Sequence, residues 1–415
     1  MTWTEHERSV SRRVFIKSGA AAMLSVGFAP SFLARTVAAA ESRRRLLVAI
    51  FQRGAVDGLN MIVPFGEAEY YRLRPTIAIP RPGANDGVIA LDDFFGMHPR
   101  MASLKPLWDN GSLAVVHASG SHDQTRSHFD AQDYMETATP GVKSTRDGWL
   151  NRYLQVAAAA DPSPLRGVAV SREMPRTLQG RAPALAFSGV DAFQIRGGTE
   201  TARAVRDAYG GASHPLLTAA ARDAFQAMES LRAVDRYRPA PGVEYPRSAF
   251  GQALQEIARL AKADVGLEVA FAESGNWDHH VNEGGAQGVI ANRLDDLSRG
   301  IAALAADLGD RIADTVILTM SEFGRAVAEN GNRGTDHGHG NAMLVIGGPV
   351  KGRRLYGRWP GLREDQRFEG RDLAVTTDFR DVFSEIVTAH LGLSATALSR
   401  VFPGYRGGES LHIMG

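Results

Sequence analysis

Cysteine is absent from all 415 residues. That excludes a disulfide framework, thiolate metal ligands and a cysteine nucleophile. Any metal must therefore be held by nitrogen and oxygen. Charge of one sign is also missing. Residues 1–40 carry five Lys/Arg and two Asp/Glu, and removing them leaves the remainder at −2. Such a balance argues against a nucleic-acid partner. Beyond residue 40 no apolar run reaches the length of a bilayer span, so no stable membrane insertion is expected once the leader is cleaved. The G-x-S-x-G elbow of serine hydrolases, the phosphate-binding loop of nucleotidases and a convincing dinucleotide fingerprint are missing too.

Histidine is what stands out among the residues present. Six of the twelve fall in three tight pairs. These are His122/His128 in S-H-D-Q-T-R-S-H-F-D, His279/His280 in N-W-D-H-H, and His337/His339 in G-T-D-H-G-H-G. Each pair travels with Asp or Gly. Neutral imidazole beside carboxylate is the donor set of a zinc or manganese site.

The first forty residues read as an export leader. Ser11-Arg12-Arg13-Val14-Phe15-Ile16-Lys17 resembles the twin-arginine pattern, an apolar run follows from Gly19, and Ala38-Ala39-Ala40 offers a cleavage site. The expected organisation is a signal over 1–40 and one α/β domain over 41–415, with 161–246 as a lid or edge elaboration. The expected partner during export is the twin-arginine translocase, and the destination is periplasmic or secreted.

Short Val/Ile/Leu-rich runs bounded by Gly and polar residues predict buried strands at Leu46–Phe51, Leu113–Ala118, Gly167–Val170, Leu267–Ala272, Thr315–Met320 and Met343–Ile346. Apolar residues at three- and four-residue spacing predict helices over Arg146–Ala160, Pro215–Tyr237, Ser248–Ala263, Ala286–Leu308 and Asp378–Leu391. Alternation of the two implies an α/β fold, a mostly parallel central sheet sandwiched between helices. Ligands bind such sheets beyond the carboxyl ends of the strands, and four polar motifs fall there.

Each motif has a bland alternative. Asp278 and His280 share a face if the backbone is extended, yet a loop Asp beside a solvated His pair would look the same. His337 and His339 can share a face, with Gly338 and Gly340 letting the backbone crowd an ion; the alternative is a Gly-rich turn. Asp57 is either a ligand or a turn residue. Glu322 and Arg325 follow a buried strand, where Arg325 could bind an anion or simply pair with Glu322. Ser127, ahead of Thr125 and Ser121, is the candidate nucleophile beside His128, or else a helix N-cap.

The chain resembles the bacterial exported family known as domain of unknown function 1501. The resemblance is carried by Asp57-Gly58-Leu59-Asn60 with Val63-Pro64, His98-Pro99, Ser127-His128-Phe129, Trp277-Asp278-His279-His280, Ser321-Glu322-Phe323-Gly324-Arg325 and Gly334-Thr335-Asp336-His337-Gly338. That family is more distantly similar to the alkaline phosphatase and sulfatase superfamily. The resemblance implies an alkaline-phosphatase-like fold and one or two divalent ions, zinc or manganese, at the carboxyl edge. The implied metal ligands are Asp57, Asp278, His280, Glu322, His337 and His339, and the implied catalytic residues are Ser127, His128 and Arg325. Glu322-Phe323 departs from the Asp-His or Asp-Asn usual in the superfamily. With no cysteine, the formylglycine mechanism is excluded.

The expectation is an exported metal-dependent hydrolase of phosphate or sulfate esters acting on an anionic small molecule or polymer. Ser127 or a water activated by the metal would attack. One rival is a non-catalytic exported binding or scaffold protein on a degenerate version of the fold. The other is a metal-free serine hydrolase, which a fluorophosphonate probe would label.

Overall fold

A computed structural model describes residues 44–157, 165–189, 234, 237–408 and 410–415. The leader, most of the 161–246 segment and nearly all of the Pro215–Tyr237 helix lie outside the described residues.

The strands are β1 (Leu46–Gln52), β2 (Leu113–Gly120), β3 (Gly167–Val170), β4 (Leu185–Phe187), β5 (Val269–Ser274), β6 (Thr315–Met320), β7 (Asn341–Gly347), β8 (Arg354–Tyr356) and β9 (Thr377–Asp378). They form one sheet in the order β8-β2-β7-β6-β1-β5-β3-β4, with β9 also paired to β2. A small second sheet joins Ile62–Val63, Gly96–Met97 and Ile89–Ala90.

β1 explains the layering. It lies between β5 and β6, parallel to both. All seven of its residues, Leu-Leu-Val-Ala-Ile-Phe-Gln, are buried. Side chains alternate across a strand, so Leu46, Val48 and Ile50 enter one core while Leu47, Ala49 and Phe51 enter the other. The helices that position the cores and the loops are α1 (Gly58–Met61), α2 (His128–Thr137), α3 (Trp149–Val156), α4 (Ala249–Lys262), α5 (Val289–Leu308) and α6 (Phe379–Glu385). The first core is closed by Leu254 and Ile257 of α4 with Leu294, Leu297 and Ile301 of α5. Trp149, Leu150 and Tyr153 of α3 close the second, together with Phe379, Val382 and Phe383 of α6.

Several boundaries differ from the sequence reading. The expected strand Leu267–Ala272 is displaced two residues, to Val269–Ser274. The expected Asp378–Leu391 helix is split. Asp378 caps α6, accepting from Arg380 N, and the chain then widens into a π-helical turn at Ile386–His390. Within 161–246, β3 and β4 are sheet strands paired in parallel at one edge.

β7 is the departure that matters. It runs antiparallel to β2 and to β6. Its amino end therefore lies at the edge where the parallel strands have their carboxyl ends. The histidine-rich loop before β7 consequently faces the loops that follow β1, β2, β5 and β6.

Candidate metal centre

Backbone contacts first lock those loops together. Gly324 N donates to His339 O at 2.9 Å, Gly338 N to Gly324 O at 2.8 Å, and Ala326 N to Asp336 O at 2.9 Å. Asn341 Nδ2 reaches Phe323 O at 2.7 Å and Val56 O at 3.2 Å, joining a third loop. The glycines serve this packing rather than an ion. A Cβ on Gly338 would sit 2.3 Å from the carbonyl carbon of Arg325, and one on Gly340 2.7 Å from Leu373 O.

On this frame the imidazoles of His128, His280 and His337 converge. His337 Nε2 lies 3.0 Å from His128 Nε2 and 2.9 Å from His280 Nε2. Asp278 Oδ1 lies 2.9 Å from His280 Nε2 and 3.3 Å from His337 Nε2, while Oδ2 lies 3.4 Å from His128 Nε2. Among the described residues, one ligand atom from each of His128, Asp278 and His337 falls within 4.8 Å of the others. His280 borders this set.

The outer nitrogens determine the chemistry. His337 Nδ1 lies 2.8 Å from Arg126 O, a carbonyl that can only accept, so the proton is on Nδ1. His128 Nδ1 lies 2.8 Å from Glu322 Oε1, which fixes the same tautomer. Two Nε2 lone pairs therefore point at each other across 3.0 Å, and a cation belongs between them. One solution is a proton on His128, whose pKa is raised by the Glu322 hydrogen bond against the opposing effect of burial. A divalent ion is the other. Tetrahedral zinc with Zn–N near ~2.0–2.1 Å would set two nitrogens about 3.3 Å apart, close to the spacing seen. The donor set fits a zinc-like ion.

Supporting groups hold each ligand. Glu322 is buried, and its Oε1 also accepts from Gln132 Nε2 and Gly54 N, each at 2.8 Å. Burial pushes its carboxyl up, but these bonds outweigh that and leave it below the usual range. Gln132 is four residues after His128 on α2, so both meet Glu322 from one helix face. Asp278 accepts from Arg325 Nη1 at 2.7 Å. There too burial acts upward, and the Arg325 bond and charge leave the carboxyl lowered. Burial dominates at His337 and lowers it. The Asp278 side chain is 42% exposed and that of His280 40%, so the centre opens to solvent. Structural zinc sites are closed, whereas catalytic ones keep an open position.

The remaining sequence candidates go elsewhere. Asp57, expected as a ligand, caps α1 through Leu59 N at 3.2 Å and is ion-paired with fully buried Arg74. Glu322 orients His128 instead of joining the facing donors. His339 is buried and stacks on Phe368 at 4.3 Å, and burial pushes it down to about 4. Arg325, expected to bind an anion, is buried and engaged by Asp278 and Thr335. Arg126 is held by Asp372 and Glu369. Ser127 is exposed and precedes α2, but its side chain makes no capping bond. His128, expected beside the nucleophile, stands in the cluster with Asp278 and His337 whose donor atoms could hold a metal. Gln132 and Thr335 were not foreseen in their supporting roles; the His128/Gln132 spacing is the one signal that could have suggested Gln132.

A cavity of about 730 Å³ lies at the carboxyl ends of β3 and β5, lined by Arg53, Arg172, Arg176, Glu173 and Glu273 among others. Arg53 joins it to the centre, since Arg53 Nη1 donates to Gln132 Oε1 at 3.2 Å.

A model of the family described as "Protein of unknown function (DUF1501)" matches residues 44–392. A search of curated proteins finds no match. Among solved structures, the chain is similar to the C-terminal periplasmic domain of EcEptC from Escherichia coli, determined in complex with Zn, at 10% identity over 74% of each chain with a TM-score of 0.35.

Proposed function

The chain belongs to the DUF1501 family, and from that premise we propose that it is an exported, metal-dependent hydrolase of phosphate or sulfate esters. The observation that carries the reading is the pair of facing Nε2 lone pairs, with tautomers fixed by Glu322 and Arg126 O, beside a solvent-open carboxylate. His128, Asp278 and His337 hold the ion, zinc or manganese, and His280 stands at its edge. When bound, such an ion supplies a Lewis acid toward an ester oxygen.

The chain's own groups do the rest. Glu322 and Gln132 hold the ring of His128, and Arg325 holds Asp278. Ser127, exposed and preceding His128 in the chain, is our candidate nucleophile. The N-terminus of α2 adds partial positive charge at the same point. The cavity reached through Arg53 and Gln132 offers room for the polar organic part of a substrate.

One observation favours a second reading, metal binding without catalysis. Both arginines near the centre, Arg325 and Arg126, are engaged by carboxylates, so neither is free to take a substrate's charge. Elemental analysis of untagged protein together with a panel of phosphate and sulfate esters separates the two. Hydrolysis lost in Ser127→Ala and with chelator supports the enzyme. One ion per chain without turnover of any ester favours the second reading, and a metal-free protein sinks both.

Export is part of the proposal. Among the described residues no helix is long and apolar enough to cross a membrane. The Arg12–Arg13 pair should act as the address, so an Arg12→Lys, Arg13→Lys variant should leave uncleaved precursor in the cytoplasm. Normal export of that variant would exclude the twin-arginine route.

A further inference from the structure

The Arg325–Asp278 ion pair continues inward through two buried side chains. Arg325 Nε donates to Thr335 Oγ1 at 3.1 Å, and Nη2 donates to the Thr335 carbonyl. The Thr335 hydroxyl, itself buried, donates to Glu283 Oε2 at 2.7 Å. Glu283 has no exposed surface, and its Oε1 has no ordinary donor. Asp57 is near enough for its charge to act on Glu283. Arg74 holds Asp57 from beyond, with all five N–H groups engaged by Asp57, Asn60, Val327 O and Ala326 O. Glu283 lies between the buried Arg74–Asp57 pair and the Arg325 end of the solvent-open Arg325–Asp278 pair.

We propose that Glu283 is a positioning residue of the metal centre, aiming Asp278 through Thr335 and Arg325. The proposal rests on the metal-centre reading above. Asp278 is half-exposed and sits on a loop, so its carboxylate direction depends on Arg325. Arg325 in turn is fixed on its inner side by Thr335 alone. A hydroxyl has one proton and two lone pairs, so an acceptor that holds the proton on the inner side keeps a lone pair turned toward Arg325 Nε. Glu283 Oε2 is that acceptor.

The orphan oxygen completes the account. Two buried carboxylates in contact do not both ionise. Burial and the Asp57 charge raise Glu283 well above the carboxylate range. A proton on Glu283 removes a second negative charge from beside Asp57. This leaves the Arg325 charge undivided for Asp278. Glutamine is neutral too and keeps an oxygen that can accept from Thr335.

The test uses the full chain and two readouts. One is the slowly exchanging Arg325 Nε–H resonance, assigned by its absence in Arg325→Lys and measured without metal. The other is zinc affinity from competition with a chromophoric chelator. In Glu283→Gln both should stay near wild type. In Glu283→Leu the resonance should be lost and zinc affinity should fall about 10- to 100-fold, the usual effect of removing a group behind a ligand. Thr335→Val removes one hydroxyl at little risk to folding and should do the same. Retained resonance in folded Thr335→Val or Glu283→Leu overturns the proposal, and so does unchanged zinc affinity. If wild type binds no zinc but the resonance follows the expected pattern, the positioning of Arg325 stands and the metal reading falls.

Discussion

Asp57 shows what a residue type reveals and what it conceals. V-D-G-L-N after a strand fits a ligand or a turn residue equally well. What decides is Arg74, seventeen positions on, which no spacing rule ties to Asp57. The pair is buried at 1% and 0% exposure. Removing one partner of such a pair leaves an uncompensated charge and typically costs about 3–5 kcal/mol. Arg74→Met should therefore lower unfolding stability in urea by several kcal/mol while folded protein keeps its metal stoichiometry. Loss of metal in the folded variant would return Asp57 to the ligand set. His128, Asp278, His280 and His337 drew attention in the sequence because imidazole beside carboxylate is costly filler, though His128 was read as a neighbour of the nucleophile and not as a ligand. The roles of Glu322 and Arg325 were not legible, since a charged residue at a strand end looks the same whether it touches an ion or props a neighbour.

Among the elements, the long buried strands were read well because each has a continuous apolar run, with polar residues confined mostly to its ends. β4, three residues long, carries too little pattern to find. The direction of β7 was equally hidden, because an apolar run has no arrow. Loop contacts are less legible still, and Gly54 illustrates why. Its φ is +110°, and a Cβ there would lie 2.8 Å from Asp278 N and 2.9 Å from Trp277 N. Backbone on both sides leaves nothing flexible to yield. Gly54→Ala should push the Trp277–His280 loop away from β1, reducing zinc affinity by about tenfold or more, an effect comparable to losing a group behind a ligand. Isothermal titration with zinc would show it, and a wild-type affinity would mean that the loops are not in contact.

For the whole molecule, acid is the informative stress. His98 accepts from Arg100 N at 3.0 Å and also contacts Gly285 O, while His117 stacks on Phe95 at 5.0 Å. Burial pushes both down to about 4 from 6.5. The folded form thus binds fewer protons than the unfolded chain between those values. Stability from this source is complete above pH 6.5 and is lost as the pH falls toward 4, by roughly 3 kcal/mol per histidine. Urea melts at pH 7.5, 6 and 5 should trace the loss. His117→Phe keeps the stack and should flatten the curve. An unchanged slope would show that His117 takes up its proton equally readily in the folded protein and in the unfolded chain.

The antiparallel strand has one more consequence, for the order of assembly. β7 inserts between β2 and β6, which are themselves not paired with each other. Until residues near Gly347 have been synthesised, β2 has no path to the rest of the sheet except through space. Contacts this distant in sequence form late and slowly. His128 and His337 stand on opposite sides of that seam, 209 residues apart. The centre is therefore completed by the same event that closes the sheet, and loading of the site would report a finished fold to any transport machinery that accepts only folded cargo.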